Sequence, residues 1–165
     1  MSAFTELVKS YSGLVYSIAR RMVRDADGAE DVSQETFVKA WTSIGLLRAS
    51  SGFTSWISTI ANRASLDYIR KRKPEDPCGE EADEVPGADC PPPAGSIPLL
   101  ERAMGRLSQR DRLLLTLFYY GELSNSEVSE VTGIPEENVR VYIHRARRRL
   151  RSLLEGRENE LLQQV

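Results

Sequence analysis

The sequence runs to 165 residues, 41% hydrophobic and 28% charged, with a formal net charge of −2. That length suits one medium domain or two small ones, each with a modest core, and a near-balanced total charge points by itself to no polyanionic partner. No apolar run approaches the ~20 residues needed to cross a bilayer, and MSAFTELVKS lacks a charged-then-apolar leader, so a soluble, cytoplasmic chain is expected. With a single histidine, no glycine-rich phosphate loop and no metal-ligand cluster, the expectation is a protein that is not an enzyme and that uses neither metal nor cofactor.

The distribution of charge is more informative than its sum. Residues 1–73 hold 11 Lys/Arg against 7 Asp/Glu, whereas residues 74–98 hold 7 acidic residues and no basic one. Residues 99–165 hold 11 against 10, with the positive charge crowded into Arg140–Arg151. Two basic-faced blocks therefore flank an acidic connector.

In the first block, Phe4, Leu7, Val8, Tyr11, Leu14, Val15, Ile18, Ala19 and Met22 follow helical spacing and make one apolar stripe. Arg24 to Gly28 interrupts it, and Asp27 is a candidate cap for the next helix. That helix is expected to turn Val32, Thr36, Phe37, Ala40, Trp41 and Ile44 inward, leaving Asp31, Gln34, Glu35 and Lys39 on its polar face. A loop over Leu46–Gly52 precedes a third helix from about Thr54, with Trp56, Ile57, Ile60, Ala61 and Ala64 inward. This helix runs into Arg70-Lys71-Arg72-Lys73 and stops at Pro74.

Residues 74–98 contain seven of the eight prolines, three glycines and no aromatic, a composition that cannot bury enough surface to fold alone. Both cysteines, Cys78 and Cys90, fall here and read as reduced spacer residues, with a disulfide or redox switch as the alternative.

Helical periodicity resumes with Leu99, Leu100, Ala103, Met104 and Leu107. Ser108 with Asp111, and Ser124 with Glu127, have the spacing of capped helix starts, and Gly121 ends the helix between them. After the second start, a short helix to Val131, a turn at Thr132-Gly133-Ile134 and a helix from Pro135 to about Leu154 make a helix-turn-helix. Val128, Ile134, Val139 and Ile143 are expected to fix the angle between the two helices. The opposite face of the long helix offers arginines, which supply bidentate donors to guanine edges and charge toward phosphates. Glu136 and Glu137 suit the helix dipole but would repel DNA. Base reading is therefore placed further along, at Arg140, Val141, His144 and Arg145, with Arg148, Arg149 and Arg151 on the phosphates.

The whole reads as an all-α protein: two small helical domains, 1–73 and 99–165, joined by an acidic Pro-rich linker at 74–98, the second being a helix-turn-helix. Two signatures in order, Asp31-Val32-Ser33-Gln34-Glu35-Thr36-Phe37-Val38-Lys39-Ala40-Trp41 and Leu107-Ser108-Gln109-Arg110 through His144-Arg145-Ala146-Arg147, resemble those of bacterial extracytoplasmic-function (ECF) sigma factors of the sigma-70 family. The resemblance implies that Asp31, Gln34, Glu35 and Lys39 dock on the β′ clamp helices of core RNA polymerase, with the β flap as a second contact. It implies that Asn62 helps capture a base flipped from the minus-ten strand and that Arg63, Arg70, Lys71, Arg72 and Lys73 hold the surrounding DNA. It further implies that Arg140, Val141, His144, Arg145, Arg148 and Arg149 bind the minus-thirty-five element, and that an anti-sigma factor is a partner. Val141 and Tyr142 depart from the family's usual small polar residue and arginine, so promoter sequence is not inferred from other members. The expected function is promoter-specific transcription initiation by a stress- or signal-responsive sigma factor. The alternatives are a sigma-like decoy that binds a regulator without promoter recognition, and a conventional helix-turn-helix repressor or activator.

Overall fold

A computed structural model describes residues 3–47, 52–72 and 98–162, with side chains to Gly156. The acidic connector with Cys78 and Cys90, Lys73, and residues 48–51 of the loop lie outside the described residues. Seven α-helices are present among the described residues, and no strand: α1 Ala3–Val23, α2 Ala26–Ser43, α3 Phe53–Arg72, α4 Pro98–Gly105, α5 Gln109–Leu115, α6 Asn125–Thr132 and α7 Glu136–Leu162. A 3₁₀ turn, Ile44–Leu46, follows α2, and a π-helical turn, Thr116–Tyr120, extends α5.

Helices α1–α3 form one group. Leu14, Val15, Ile18 and Met22 of α1 meet Ala40 of α2 and Ile57 and Ala61 of α3, all buried. Asp25, not Asp27, caps α2: its carboxylate accepts from the Gly28 amide at 3.1 Å. The break before α2 is completed by Arg24 at φ 65°, so the extended residue that can act as cap is the one immediately after it. Trp41 departs from the expected inward stripe. It is 58% exposed and makes an edge-to-face contact with Phe4, centroids 4.7 Å apart, while its neighbour Val38 is 63% exposed. Trp56 is half-buried on the rim of the core against Phe53.

Helices α4–α7 form the second group. Ser108 caps α5 by accepting from the Asp111 amide at 3.2 Å. Gly121 follows the π turn, and the left-handed residue after it is Glu122, at φ 52°. Pro135 sits just outside α7, its carbonyl accepting from the Asn138 and Val139 amides at 2.9 and 3.1 Å. The final helix continues to Leu162, eight residues beyond the expected end at Leu154.

The groups also pack on one another. Leu14, Val15, Ile18, Ile57 and Ala61 belong to the same continuous apolar core as Met104, Leu107, Leu114, Leu117, Val128, Val139 and Ile143. Polar contacts line the seam beside α1. Arg21 pairs with Glu101 at 3.2 Å and donates to Thr116 Oγ1 at 3.1 Å, Arg24 donates to the Gly105 carbonyl at 2.9 Å, and Arg112 Nε donates to the Arg21 carbonyl at 2.9 Å. Burial, with Arg24 nearby, pulls the Arg112 guanidinium down to about 10, so it stays charged at neutral pH.

Candidate nucleic-acid interface

The helix-turn-helix is built by local chemistry. Ser124 Oγ accepts from the Glu127 amide at 3.2 Å while Glu127 Oε2 accepts from the Ser124 amide at 2.8 Å, a complete capping box at the start of α6. Gly133 closes the helix at φ 74°, a region an L side chain enters only at a cost, and its amide donates to the Ser129 carbonyl at 2.8 Å. Ser129 Oγ donates across the turn to the Ile134 carbonyl at 2.6 Å, which sets the direction in which α7 leaves. Val128, Val131, Val139, Ile143 and Ala146 are buried and clamp the two helices together.

With that face of α7 inside, Arg140, Val141, His144, Arg145 and Arg148 are all exposed, Val141 to 44%. Residues 140, 144 and 148 follow one another at four-residue spacing, with 141 and 145 beside them, so the five make one surface. None of its arginines is ion-paired with a described residue. Arg149 is exposed too but differs: its Nη1 donates to Asp111 Oδ2 at 2.9 Å, tying α7 to a carboxylate that is 2% exposed. Arg147 donates to the Tyr119 hydroxyl at 3.2 Å, and the Arg110 guanidinium lies 4.6 Å from the Tyr142 ring centre. These three contacts anchor the flanks of the arginine surface, and one of them engages Arg149, which the sequence assigns to phosphates. The Ser108–Asp111 spacing revealed Asp111 as a cap partner; its second contact, to Arg149, is set only by the packing of α5 on α7.

In the first group, Asp31 and Gln34 are exposed on α2, in line with Val38 and Trp41. Glu35 and Lys39 pair at 2.7 Å, and Lys39 also reaches Asp67 of α3 at 3.9 Å, so these two are partly engaged within the group. The exposed Val38–Trp41 end was missed from sequence because helical spacing alone assigns an aromatic to the inside. At the end of α3, Lys71 is exposed, and Arg70 is exposed while lying 3.6 Å from Asp67. Arg72 donates to Asp25 at 2.8 Å and to the Tyr68 hydroxyl at 3.0 Å. The Arg72 hydrogen bond holds the Asp25 carboxyl below its ordinary value, and the guanidinium is raised in return. Arg63 is exposed, but Asn62 is only 7% exposed. The Asn62 amide nitrogen donates to the Val131 carbonyl of α6 at 3.3 Å, and its amide oxygen has no partner among the described residues. The structure therefore separates Asn62 from the exposed basic end of its own helix.

No group of three or more His, Cys, Asp or Glu among the described residues could hold a metal ion, and no described helix is long and apolar enough to cross a membrane.

Two family models match: sigma-70 region 2 over residues 7–75 and sigma-70 region 4 over residues 98–150. Among curated proteins, the chain is 31% identical to the ECF RNA polymerase sigma factor SigW of Bacillus subtilis, covering 92% of this chain and 89% of that one. It is 32% identical to SigM of the same organism, covering 90% and 93%. Among solved structures, the fold matches the sigma factor RpoE of Bartonella quintana, determined in complex with the anti-sigma factor NepR, with a TM-score of 0.77 at 24% identity over 94% of this chain and 98% of that one. It also matches CnrH, determined with the cytosolic domain of CnrY, with a TM-score of 0.65 at 24% identity over 93% and 88%. Both halves of the chain, in the family's order and with its helical fold, thus carry the family's signatures: the chain belongs to the ECF sigma factors of the sigma-70 family, transcription factors rather than enzymes.

Proposed function

We propose that this chain directs promoter-specific transcription initiation, with one group of helices serving polymerase and the minus-ten element and the other the minus-thirty-five element. In this reading residues 1–73 form the first functional domain, 74–98 the acidic linker and 99–165 the second. The exposed α2 stripe of Asp31 and Gln34, continued by Val38 and Trp41, is the surface offered to the clamp helices of core RNA polymerase, with Glu35 and Lys39 at its edge. Asn62 and Arg63, with the basic end of α3 at Arg70, Lys71, Arg72 and Lys73, serve the minus-ten region. Arg140, Val141, His144 and Arg145 read bases upstream, while Arg148 and Arg149 hold phosphates. The chain acts in the cytoplasm in response to a stress or signal, under an anti-sigma factor.

The observation that carries this reading is the exposed face of α7. It presents Arg140, Arg145 and Arg148 without ion pairs among the described residues, on a helix whose flank is fastened by Asp111 and Arg149. Unpaired guanidinium groups on one face of an anchored helix carry the donors needed at guanine edges in a major groove.

Run-off transcription from a randomised promoter library with purified bacterial core enzyme tests it. Promoter-dependent products are expected with the chain and none without it. Arg145→Ala should weaken use of the upstream element by about 1–3 kcal/mol, and an unchanged set of selected promoters would refute the assignment of the recognition face.

A further inference from the structure

We propose that Asp25 and Tyr68 are positioning residues for DNA binding: together they hold the Arg72 guanidinium at the end of α3 in one pose, with an edge of it left open to a backbone phosphate. The inference rests on the initiation reading above for the contact between the α3 end and DNA, and on the structure for the tether.

The tether is built from parts that are themselves held in place. Asp25 is extended, between the left-handed Arg24 and the first turn of α2, and the Gly28 amide donates to its Oδ2 at 3.1 Å. Tyr68 packs on the small core of Ala19, Ala29, Val32 and Ala64. Gly28 makes room for it: a Cβ there would lie 2.5 Å from the Tyr68 hydroxyl and 2.8 Å from Asp25 Oδ2. On this platform the contacts close a ring. Arg72 Nη1 donates to Asp25 Oδ2 at 2.8 Å and to the Tyr68 hydroxyl at 3.0 Å, and that hydroxyl donates to the same carboxylate oxygen at 3.4 Å. The guanidinium carbon also lies over the Tyr68 ring, 5.5 Å from its centre, where the ring face attracts a cation.

What the ring of contacts leaves unused points to a ligand. Both hydrogen bonds from Arg72 are made by Nη1, so neither engages the Nε–Nη2 edge, and the side chain is still 62% exposed. A guanidinium edge of that kind matches two oxygens of a phosphate. Arg70 is held more loosely, 3.6 Å from Asp67. An untethered arginine must be ordered before it grips a phosphate, which lowers affinity by about two- to tenfold. The Asp25 charge itself opposes DNA, but weakly. At about 6 Å from a phosphate it would lower affinity by no more than about threefold in water, and by less at physiological salt. Positioning therefore outweighs repulsion. Removing the carboxylate should weaken DNA binding, although charge alone predicts the reverse.

The test uses the full chain. Asp25→Asn removes the charge and keeps a residue type that caps helices well. Tyr68→Phe keeps the ring, removes the hydroxyl, and supplies an independent route should the first variant lose its helical circular dichroism. Relaxation of the ¹⁵N-labelled Arg72 Nε–H group in the free chain reports whether the guanidinium is ordered. Fluorescence anisotropy gives the affinity of each chain, assembled with purified core enzyme, for a promoter fragment selected in the run-off experiment. Asp25→Asn is measured both alone and in an Arg72→Ala background. The expected result is an Arg72 that is ordered in the wild type and mobile in both variants. Promoter affinity should fall by about two- to tenfold in Asp25→Asn, with no further fall when Arg72 is already alanine. An Arg72 that is mobile in the wild type overturns the tether. Equal losses in the two backgrounds overturn it too, since Asp25 would then act through the fold alone, and tighter binding by Asp25→Asn would show that the carboxylate withholds Arg72 from DNA. Promoter complexes formed equally well by every chain reject the positioning role and leave the initiation reading standing. Promoter binding by no chain, the wild type included, rejects the initiation reading and with it the role on DNA, whatever the order of Arg72.

Discussion

Asp25 does two jobs with one carboxylate, and Asp111 divides two between its amide and its carboxylate, each job lying at a different distance in sequence. Asp111 stands at the third position of α5, where Ser108 accepts from its amide, and its side chain fastens Arg149 thirty-eight residues later. Asp111→Ala should destabilise the chain by on the order of 1–3 kcal/mol, the net worth of a hydrogen bond to a charged group, and by no more because the exposed Arg149 can turn to water once its partner is gone; urea unfolding measures this. Asp25 caps α2 and holds Arg72 at the end of α3. Its carboxyl is depressed below the ordinary 3.8, chiefly by the Arg72 hydrogen bond. A depressed acid stabilises the fold above its unfolded value and loses that contribution as pH falls through its folded value. Acid unfolding followed by circular dichroism should accordingly show the wild type losing an advantage over Asp25→Asn below about pH 4, the two curves converging once the carboxyl is protonated. Equal separation at all pH values would mean that Asp25 acts through shape alone.

At the scale of elements, the α6–turn–α7 unit was legible because its signals are local. Ser124 and Glu127 are three residues apart, Gly133 follows at once, and Val128, Val139 and Ile143 keep helical spacing. The capping box and the glycine turn work on backbone within a few residues, so their effect does not depend on distant packing. Gly133→Ala forces a Cβ into the left-handed region and should cost about 1–2 kcal/mol, read as a lowered thermal midpoint. A fall in promoter binding much larger than that loss explains would indicate that the turn also sets the angle of α7. The helix-start signal at Asp27 misled for a physical reason: Asp25 and Asp27 are both good caps, and the left-handed Arg24 selects the first. Trp41 misled for another, since an amphipathic pattern gives the direction of a side chain but not whether anything packs over it.

Across the whole molecule, a net charge of −2 conceals a local cationic face, and binding follows the face rather than the sum. Arg148 is exposed and unpaired with described residues at the end of that face. Arg148→Ala should weaken promoter binding by the polymerase complex nearly uniformly across upstream sequences and reduce the slope of log affinity against log salt by about 1. A salt titration checks this; an unchanged slope would place Arg148 off the phosphates. The expectation from sequence of an all-α fold with its helices in two groups agrees with the structure. Their common core was not legible, because an apolar stripe does not name its partner.

Helicity, the capping box, the left-handed turn and the clustering of arginines on one side of α7 followed from the amino-acid order itself. Each depends on neighbours within about one or two helical turns. Which arginines are spent, on Asp111, Asp25 or Glu101, and that Asn62 lies beneath α6 while Trp41 faces outward, was decided by tertiary structure. Asn62 and Val131 are 69 positions apart. No local propensity encodes such a meeting; it is settled by which apolar faces bury one another once the helices exist.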